Sequence, residues 1–159
     1  MKIIGIDCGL SGAITVIEKS KIIEKIVMPV IKITKTKHDY DIPAIITFLN
    51  NYPEANIIIE KTQALPGKGV VQMFKLGRGY GIIIGIVAAL KYPYFLVHPK
   101  TWQTKMFRDV NKDNTKLASI YVAKRLFPNE NFKATSRCKK DHDGLTDSAL
   151  IAYYGEQYL

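Results

Sequence analysis

Two short runs rich in isoleucine each end in an acidic residue. Residues 2–7 read KIIGID and residues 55–60 read ANIIIE. Continuous apolar runs of this length predict strands that are buried on both faces and lie in the middle of a sheet. A carboxylate at the end of such a strand loses hydration, so it needs a cation or hydrogen-bond donors beside it. Asp7 and Glu60 are therefore candidate site residues, the alternative being that Lys61 or another basic side chain neutralises each one.

The remaining apolar patterns predict an α/β fold. Strands at 13–18 and 21–28 follow the first strand, at 2–8, as a meander, and residues 29–40 are polar and basic enough to predict a loop. Asp41 is expected to cap a helix that runs to about Asn50. Later elements are predicted at 55–60 and 94–97 as strands, and at about 70–91, 100–107, 114–126 and 143–157 as helices. This β-β-β-α-β-α-β-α order in 159 residues predicts one domain, residues 1–159.

The charge balance indicates a polyanionic partner. Lys and Arg number 23 and Asp and Glu 14, which gives a net charge of +9. Such a surplus favours nucleic acid, because binding releases the counterions of each neutralised phosphate. The basic residues do not gather on one amphipathic helix, and the apolar run 82–90 is too short to span a bilayer, so no membrane role is expected. With no signal-peptide pattern and no CxxC pair, we expect a soluble intracellular protein of a bacterial cytoplasm, a virus-infected host or an organelle.

Two further acids stand near the end of the chain. Asp143 and Asp147 are four residues apart in the last predicted helix and so share one face of it. Asp143 has an alternative role as a helix cap, whereas Asp147 lies among apolar positions and needs a partner. Oxygen ligands without a His/Cys cluster favour Mg²⁺, with Mn²⁺ possible, over zinc. Four carboxylates could hold two such ions roughly 4 Å apart, one activating water and the other stabilising the leaving oxygen.

Four blocks, taken in order, are similar to a known family. The segments GIDCGLSGAI, NIIIEKTQ, the stretch from Val71 through VHPKTWQ, and KKDHDGLTDSALIA resemble the RuvC-type Holliday junction resolvases, most closely their phage and viral branch. The resemblance covers nearly the whole chain. It implies a ribonuclease H-like fold with a mixed five-stranded sheet, three antiparallel strands followed by parallel ones, flanked by helices.

The resemblance also implies catalytic and metal-binding roles for four acids, namely Asp7, Glu60, Asp143 and Asp147. Bacterial resolvases space the last pair three residues apart rather than four, so Asp141 is the alternative third acid. The implied protein is a homodimeric, Mg²⁺-dependent endonuclease that nicks four-way DNA junctions symmetrically, leaving 5′-phosphate and 3′-hydroxyl ends. Two alternatives remain open: a nuclease of this fold acting on flaps, other branched DNA or RNA–DNA hybrids, and a non-catalytic junction-binding protein.

Several basic residues near the predicted ends of elements are candidate contacts to the DNA backbone. They are Lys68, Lys75, Arg78, Lys100, Lys105, Arg137, Lys139 and Lys140. Phe74 or Trp102 could stack on an unpaired base, although core packing is the alternative for both. His142, beside the acids, could move a proton or touch phosphate.

Glycines in two places have more than one interpretation. Gly9 and Gly12 suit a tight turn that brings phosphate to Asp7, or a plain hairpin turn that needs positive φ. Gly77, Gly81 and Gly85 recur every four residues along the predicted helix at 70–91. This stripe of small residues indicates either a dimer interface, as the resemblance implies, or close packing on the sheet.

Overall fold

The computed structural model describes residues 1–63, 67, 69–111 and 113–159. A mixed five-stranded sheet forms its centre, in the order β3-β2-β1-β6-β7. Its strands are β1 (Lys2–Asp7), β2 (Ala13–Glu18), β3 (Lys21–Val27), β6 (Asn56–Glu60) and β7 (Tyr94–Val97). The first three form an antiparallel meander, and β6 and β7 continue from β1 in parallel. The predicted sheet is confirmed, including the burial of its two central strands.

Residues 29–40 do not form the loop that their polarity predicts. β4 (Val30–Lys32) and β5 (His38–Tyr40) pair antiparallel as a separate two-stranded sheet. The prediction was wrong because the two strands bury little: every residue from Val30 to His38 is exposed, and only Tyr40 reaches the core. Without a buried face there is no apolar alternation to signal a strand.

The five helices found in the described part of the chain begin and end within a few residues of their predicted bounds. They are α1 (Ile42–Asn50), α2 (Val70–Ala89), α3 (Pro99–Met106), α4 (Thr115–Leu126) and α5 (Asp143–Tyr158). Asp41 caps α1 as predicted, its carboxylate accepting a 3.1 Å hydrogen bond from the Ala44 amide. His142, not Asp143, is the N-cap of α5, and its Nδ1 accepts from the Leu145 amide at 3.3 Å.

Two cores lie on opposite faces of the sheet. On one face α5 packs together with α3 and α4, and on the other α1 and α2 cover the apolar side chains of β1, β2 and β6. α5 lies directly against β1, because a Cβ on Gly5 would stand 2.2 Å from the Ser148 carbonyl oxygen. This close approach fixes the position of α5 relative to the end of β1, where Asp7 lies.

α2 is mostly exposed although it is mostly apolar. It packs on the sheet through Gly79, Ile83, Ile86 and Val87. Among the described residues it is the one helix that is long and apolar enough to cross a membrane, with a mean hydropathy of 1.4 and 22% of that stretch buried. A Cβ on Gly77, Gly81 or Gly85 would meet nothing within 4 Å. The glycine stripe therefore does not pack on the sheet, and that interpretation of it was wrong.

Candidate active site

Two of the predicted acids meet at one edge of the sheet. β1 and β6 are parallel neighbours, with Ile6 opposite Ile59, so their carboxyl ends deliver Asp7 and Glu60 side by side. Both residues are half-buried. The pKa of Glu60 is raised by the charge of Asp7, in addition to burial, which shows that the two carboxylates feel each other.

The N-terminal half of α5 brings the other two acids to the same edge. Asp143 raises the pKa of Asp7 by its charge, and Asp147 raises that of Glu60. A Cβ on Gly144 would stand 2.6 Å from the Ser11 carbonyl oxygen, so the first turn of α5 lies against the turn after β1. Asp7, Glu60, Asp143 and Asp147 thus come from three elements to the same edge of the sheet, where their charges act on one another.

Gly12 is required by a close approach rather than by an unusual dihedral angle. Gly9 and Gly12 do lie in the hairpin turn that joins β1 to β2, where the Gly12 amide donates to the Gly9 carbonyl oxygen at 2.8 Å. The expected positive φ was wrong, since among the described glycines only Gly67 has one. A Cβ on Gly12 would stand 2.2 Å from the Asp7 carbonyl oxygen. The Gly9 amide donates to Asp7 Oδ1 at 3.2 Å, which orients the carboxylate. The turn therefore packs under Asp7 and holds it.

Burial and mutual repulsion keep three of these acids protonated to unusually high pH. Burial is the largest cause for each. Burial and the neighbouring carboxylates raise the pKa of Glu60 to about 8, and they raise that of Asp147 to about 7 against the opposing hydrogen bond from Ser119. The pKa of Asp7 is also raised, although its hydrogen bond from Gly9 opposes the shift. A cluster of acids that disfavour one another's charge is an environment in which a bound cation is stabilised.

α4 supplies partners that the sequence did not reveal. Lys116 Nζ lies 2.5 Å from Asp143 Oδ2 and lowers the pKa of Asp143. Ser119 donates a hydrogen bond from its hydroxyl to Asp147 Oδ1. Neither residue belongs to a recognisable motif, since only the packing of α4 on α5 brings them to the acids. Asp141, the alternative third acid, instead pairs with Lys124 at 2.6 Å.

The donor set fits a hard divalent cation, although the side chains are not drawn tightly together. Within the described ranges no three His, Cys, Asp or Glu side chains close around one point. The partners explain this spread, because Asp143 turns to Lys116 and Asp147 turns to Ser119. All four acids present carboxylate oxygens, the ligands that Mg²⁺ and Mn²⁺ prefer.

Trp102 lies behind Glu60. The indole is completely buried, so it belongs to the core and cannot stack on a base. Its N–H lowers the pKa of Glu60, yet the strict geometry of a hydrogen bond is not met and Nε1 is buried without an acceptor.

An open cleft of about 920 Å³ has Asp7 and Glu60 in its lining, together with basic, polar and apolar side chains. Asp7 and Glu60 lie at one end of it, and Lys100 and Lys105, both predicted DNA contacts, lie along its wall. Gln63 and His98 are hydrogen-bonded to each other in the same wall. The cleft therefore combines carboxylates with cations suited to a phosphate backbone.

The other predicted contacts lie outside this cleft. Phe74 and Lys75 are exposed on α2, and Arg78 is bonded to Asp39. Three cations are exposed in the segment before α5, namely Arg137, Lys139 and Lys140. Lys68 lies outside the described residues, and His142 serves as a helix cap.

An α/β protein with this strand order and a carboxylate cluster at the ends of its two central parallel strands has the ribonuclease H-like fold. The solved structures it resembles are junction resolvases. Thermus thermophilus RuvC in complex with a Holliday junction substrate has a TM-score of 0.66 and 12% identity, covering 99% of this chain and 96% of that one. A second structure of Thermus thermophilus RuvC has a TM-score of 0.63 and 13% identity, and the match covers 98% of this chain and 96% of that one. The yeast mitochondrial Holliday junction resolvase Ydc2 has a TM-score of 0.58 and 18% identity, and the match covers 94% of this chain and 75% of that one.

At these identities the likeness shows the fold. No protein-family model matches the sequence, and no curated protein sequence matches it. The fold predicted from the four sequence blocks is confirmed over nearly the whole chain.

Proposed function

We propose that this protein is a metal-dependent endonuclease that resolves four-way DNA junctions inside the cell. The observation that carries the proposal is the convergence of Asp7, Glu60, Asp143 and Asp147 at the edge of the sheet, beside a cleft with Lys100 and Lys105 in its wall. The fold is that of structures whose names state junction resolution. The net charge of +9 is suited to a DNA partner.

The four acids would hold Mg²⁺, or Mn²⁺ in its place, as a pair of ions. A divalent ion held by these carboxylates would supply Lewis-acid activation of the attacking water and charge stabilisation at the leaving 3′ oxygen. Gly9 and the turn that follows it orient Asp7, and Ser119 orients Asp147. Lys100 and Lys105 attract the phosphate backbone into the cleft, and phosphate contacts of this kind position a duplex without reading its sequence.

Symmetric nicking of a junction needs two clefts related by a two-fold axis, and a homodimer provides them. The exposed face of α2 supports this part of the proposal. Gly77, Gly81 and Gly85 offer a flat strip with no neighbour, and Phe74, which is 70% exposed, continues it. A strip of small residues allows two helix backbones to approach closely, and burying the surrounding apolar surface stabilises the pair.

The test is cleavage of synthetic DNA by the purified protein in Mg²⁺. Four-way junctions, flaps, linear duplexes and RNA–DNA hybrids of matched arm sequence should be compared at equal concentration. We expect paired nicks in the junction, 5′-phosphate and 3′-hydroxyl ends, and loss of cutting in Asp7→Asn while junction binding persists. Preferential cutting of flaps or hybrids would reassign the substrate within the same fold. Binding without any cutting, in wild type and Asp7→Asn alike, would leave a non-catalytic junction-binding protein.

A further inference from the structure

The segment 30–40, which we call the basic hairpin, carries a concentration of positive charge that the active-site cleft does not use. Residues Val30 to His38 are all exposed. Lys32, Lys35, Lys37 and His38 lie within this stretch, and none of them takes part in an ion pair among the described residues. The acidic residue of the hairpin, Asp39, is already neutralised by Arg78.

The hairpin has a defined shape. Its tip is closed by hydrogen bonds from the Ile33 amide to the Lys37 carbonyl oxygen at 2.8 Å and from the Lys37 amide to Thr34 Oγ1 at 3.2 Å. Its base is closed by the Asp41 amide, which donates to the Pro29 carbonyl oxygen at 2.9 Å. Lysines on such a frame lose less conformational entropy on binding than lysines on a free loop would.

The base of the hairpin is joined to the acid cluster. Tyr40 Oη donates a 2.7 Å hydrogen bond to the carbonyl oxygen of Cys8, the residue after Asp7. On its other side Tyr40 packs on α2 so closely that a Cβ on Gly79 would stand 2.0 Å from Tyr40 Oη. Arg78 holds Asp39 with two hydrogen bonds, of 2.7 and 2.8 Å. The hairpin is thus fixed at the same edge of the sheet as Asp7.

We infer that the basic hairpin is a second DNA-binding element, which grips the phosphate backbone of one duplex arm outside the cleft. Tyr40 and Lys35 are five residues apart, so at about 3.3 Å per residue the tip lies no more than roughly 16 Å from the point of attachment. Since phosphates on one strand are spaced by about 3.4 Å along the duplex, this reach corresponds to about five base pairs from the cut. The inference rests on the proposed function, because it takes the substrate to be DNA.

Charge complementarity favours DNA as the occupant. Among the described residues no acid pairs with the exposed lysines of the hairpin. Cys8, to which the base of the hairpin is hydrogen-bonded through Tyr40, lines the same cleft as Lys100 and Lys105. A duplex arm that leaves the cleft would therefore continue along a surface of the same charge. An anionic membrane or an acidic protein would also be attracted by the charge alone. Binding of the wild type and both variants to phosphatidylserine vesicles is therefore measured as well.

The experiment compares two variants that remove the same number of charges. The first is Lys32→Gln/Lys35→Gln/Lys37→Gln. The control, Lys19→Gln/Lys21→Gln/Lys91→Gln, changes exposed lysines at the opposite end of the sheet, where β2 ends and where β3 and β7 begin. Binding to a synthetic four-way junction is measured in Ca²⁺ between 50 and 300 mM salt, and cleavage is measured in Mg²⁺ at saturating protein.

We expect the hairpin variant to bind the junction about tenfold or more weakly at 0.1 M salt, with the slope of log affinity against log salt reduced by about 2 to 3. Its cutting at saturation should equal that of wild type, and the control should bind as wild type does. A photocrosslinker at Lys35→Cys, in a Cys138→Ser background, should label nucleotides within about five base pairs of the nick.

Unchanged binding by the hairpin variant, or an equal loss in the control, would overturn the inference while leaving the nuclease intact. So would unchanged junction binding combined with lost binding to phosphatidylserine vesicles, which would assign the hairpin to a membrane. If the wild-type protein neither binds nor cuts any branched DNA, the proposed function fails and the inference fails with it.

Discussion

Lys116 Nζ stands 2.5 Å from Asp143 Oδ2, so the acid at the start of α5 is paired with a lysine of α4 rather than turned towards Asp7. Lys116 is largely exposed, with 74% of its side chain accessible. An exposed ion pair of this kind contributes little stability, because both charges would be well hydrated without it. The pair can therefore open at small cost, and Asp143 can exchange the lysine for a metal ion.

Lys116→Met should bind Mg²⁺ or Mn²⁺ at least as tightly as wild type, and by a few-fold more tightly if the ion and the lysine compete for Asp143. The physical reason is that the substitution removes a positive charge from a carboxylate that the ion needs. Mn²⁺ titration followed by electron paramagnetic resonance measures this directly. Lys124→Met, which frees Asp141 instead, is the matched control and should leave the affinity unchanged. A tenfold loss of affinity in Lys116→Met would contradict the exchange.

The choice between Asp143 and Asp141 can be decided by a pair of isosteric substitutions. Asp143→Asn should reduce Mg²⁺-dependent cutting by two or more orders of magnitude, because it removes an acid whose charge acts on Asp7. Asp141→Asn loses only its ion pair with Lys124 and should cut within a few-fold of wild type. Single-turnover cleavage of a labelled junction separates the two. The opposite ranking would make Asp141 the third acid.

The fold could be predicted from the sequence further than the site could. β1 and β6 were evident because their isoleucines are buried on both faces, and Asp7 and Glu60 followed from where those strands end. The partners of the acids were not evident, because Lys116 and Ser119 reach them only through the packing of α4 on α5. The basic hairpin was missed for a related reason: its strands have no buried face, and Tyr40, its connection to Cys8, is a single residue without a pattern.

Gly5→Ala should be one of the most damaging small substitutions in the chain. The added methyl group would stand 2.2 Å from the Ser148 carbonyl oxygen and 2.4 Å from the Ala152 amide nitrogen, so α5 must move away from β1. Overpacking of this kind costs about 1–3 kcal/mol, and here it also displaces Asp147. Urea unfolding measures the loss. Gly77→Ala, where a Cβ meets nothing within 4 Å, is the control and should not destabilise the protein. Equal stability of the two variants would contradict the close approach of α5.

Gly81→Glu tests the α2 face as the dimer contact. The side chain has open space in one subunit, so the fold should be kept, but a charge on each copy would oppose the close approach of two helices. We expect the molecular mass from light scattering to fall from that of a dimer to that of a monomer, and paired nicks to give way to rare single nicks. Gly81→Ala, which keeps the strip small, should remain dimeric. A dimeric Gly81→Glu protein would place the interface elsewhere.

The raised pKa values of the acids predict how stability depends on pH. Glu60 has a pKa of about 8 in the folded protein against an ordinary 4.5, and Asp147 about 7 against 3.8. At a pH between the ordinary pKa of each acid and its raised pKa in the folded protein, the folded state keeps a proton that the unfolded chain has lost. The stabilisation is therefore fully present below about pH 4 and is lost as the pH rises towards 8. Asp143, whose pKa is lowered, acts in the opposite direction, but only below about pH 4.

In the absence of divalent metal, the Tm should accordingly fall by on the order of 10 °C between pH 5 and pH 8, since each pKa unit corresponds to about 1.4 kcal/mol. If the acids hold Mg²⁺ as proposed, the ion would bind their ionised form and should raise the Tm more at pH 8 than at pH 6. Glu60→Gln should show a smaller decline and a weaker response to Mg²⁺, because the amide does not titrate. Scanning calorimetry with EDTA or Mg²⁺ at both pH values measures these effects. A Tm that stays level from pH 5 to pH 8 in EDTA would mean that the four carboxylates do not repel one another. A bound metal ion would then no longer be needed to explain why they lie at one edge of the sheet.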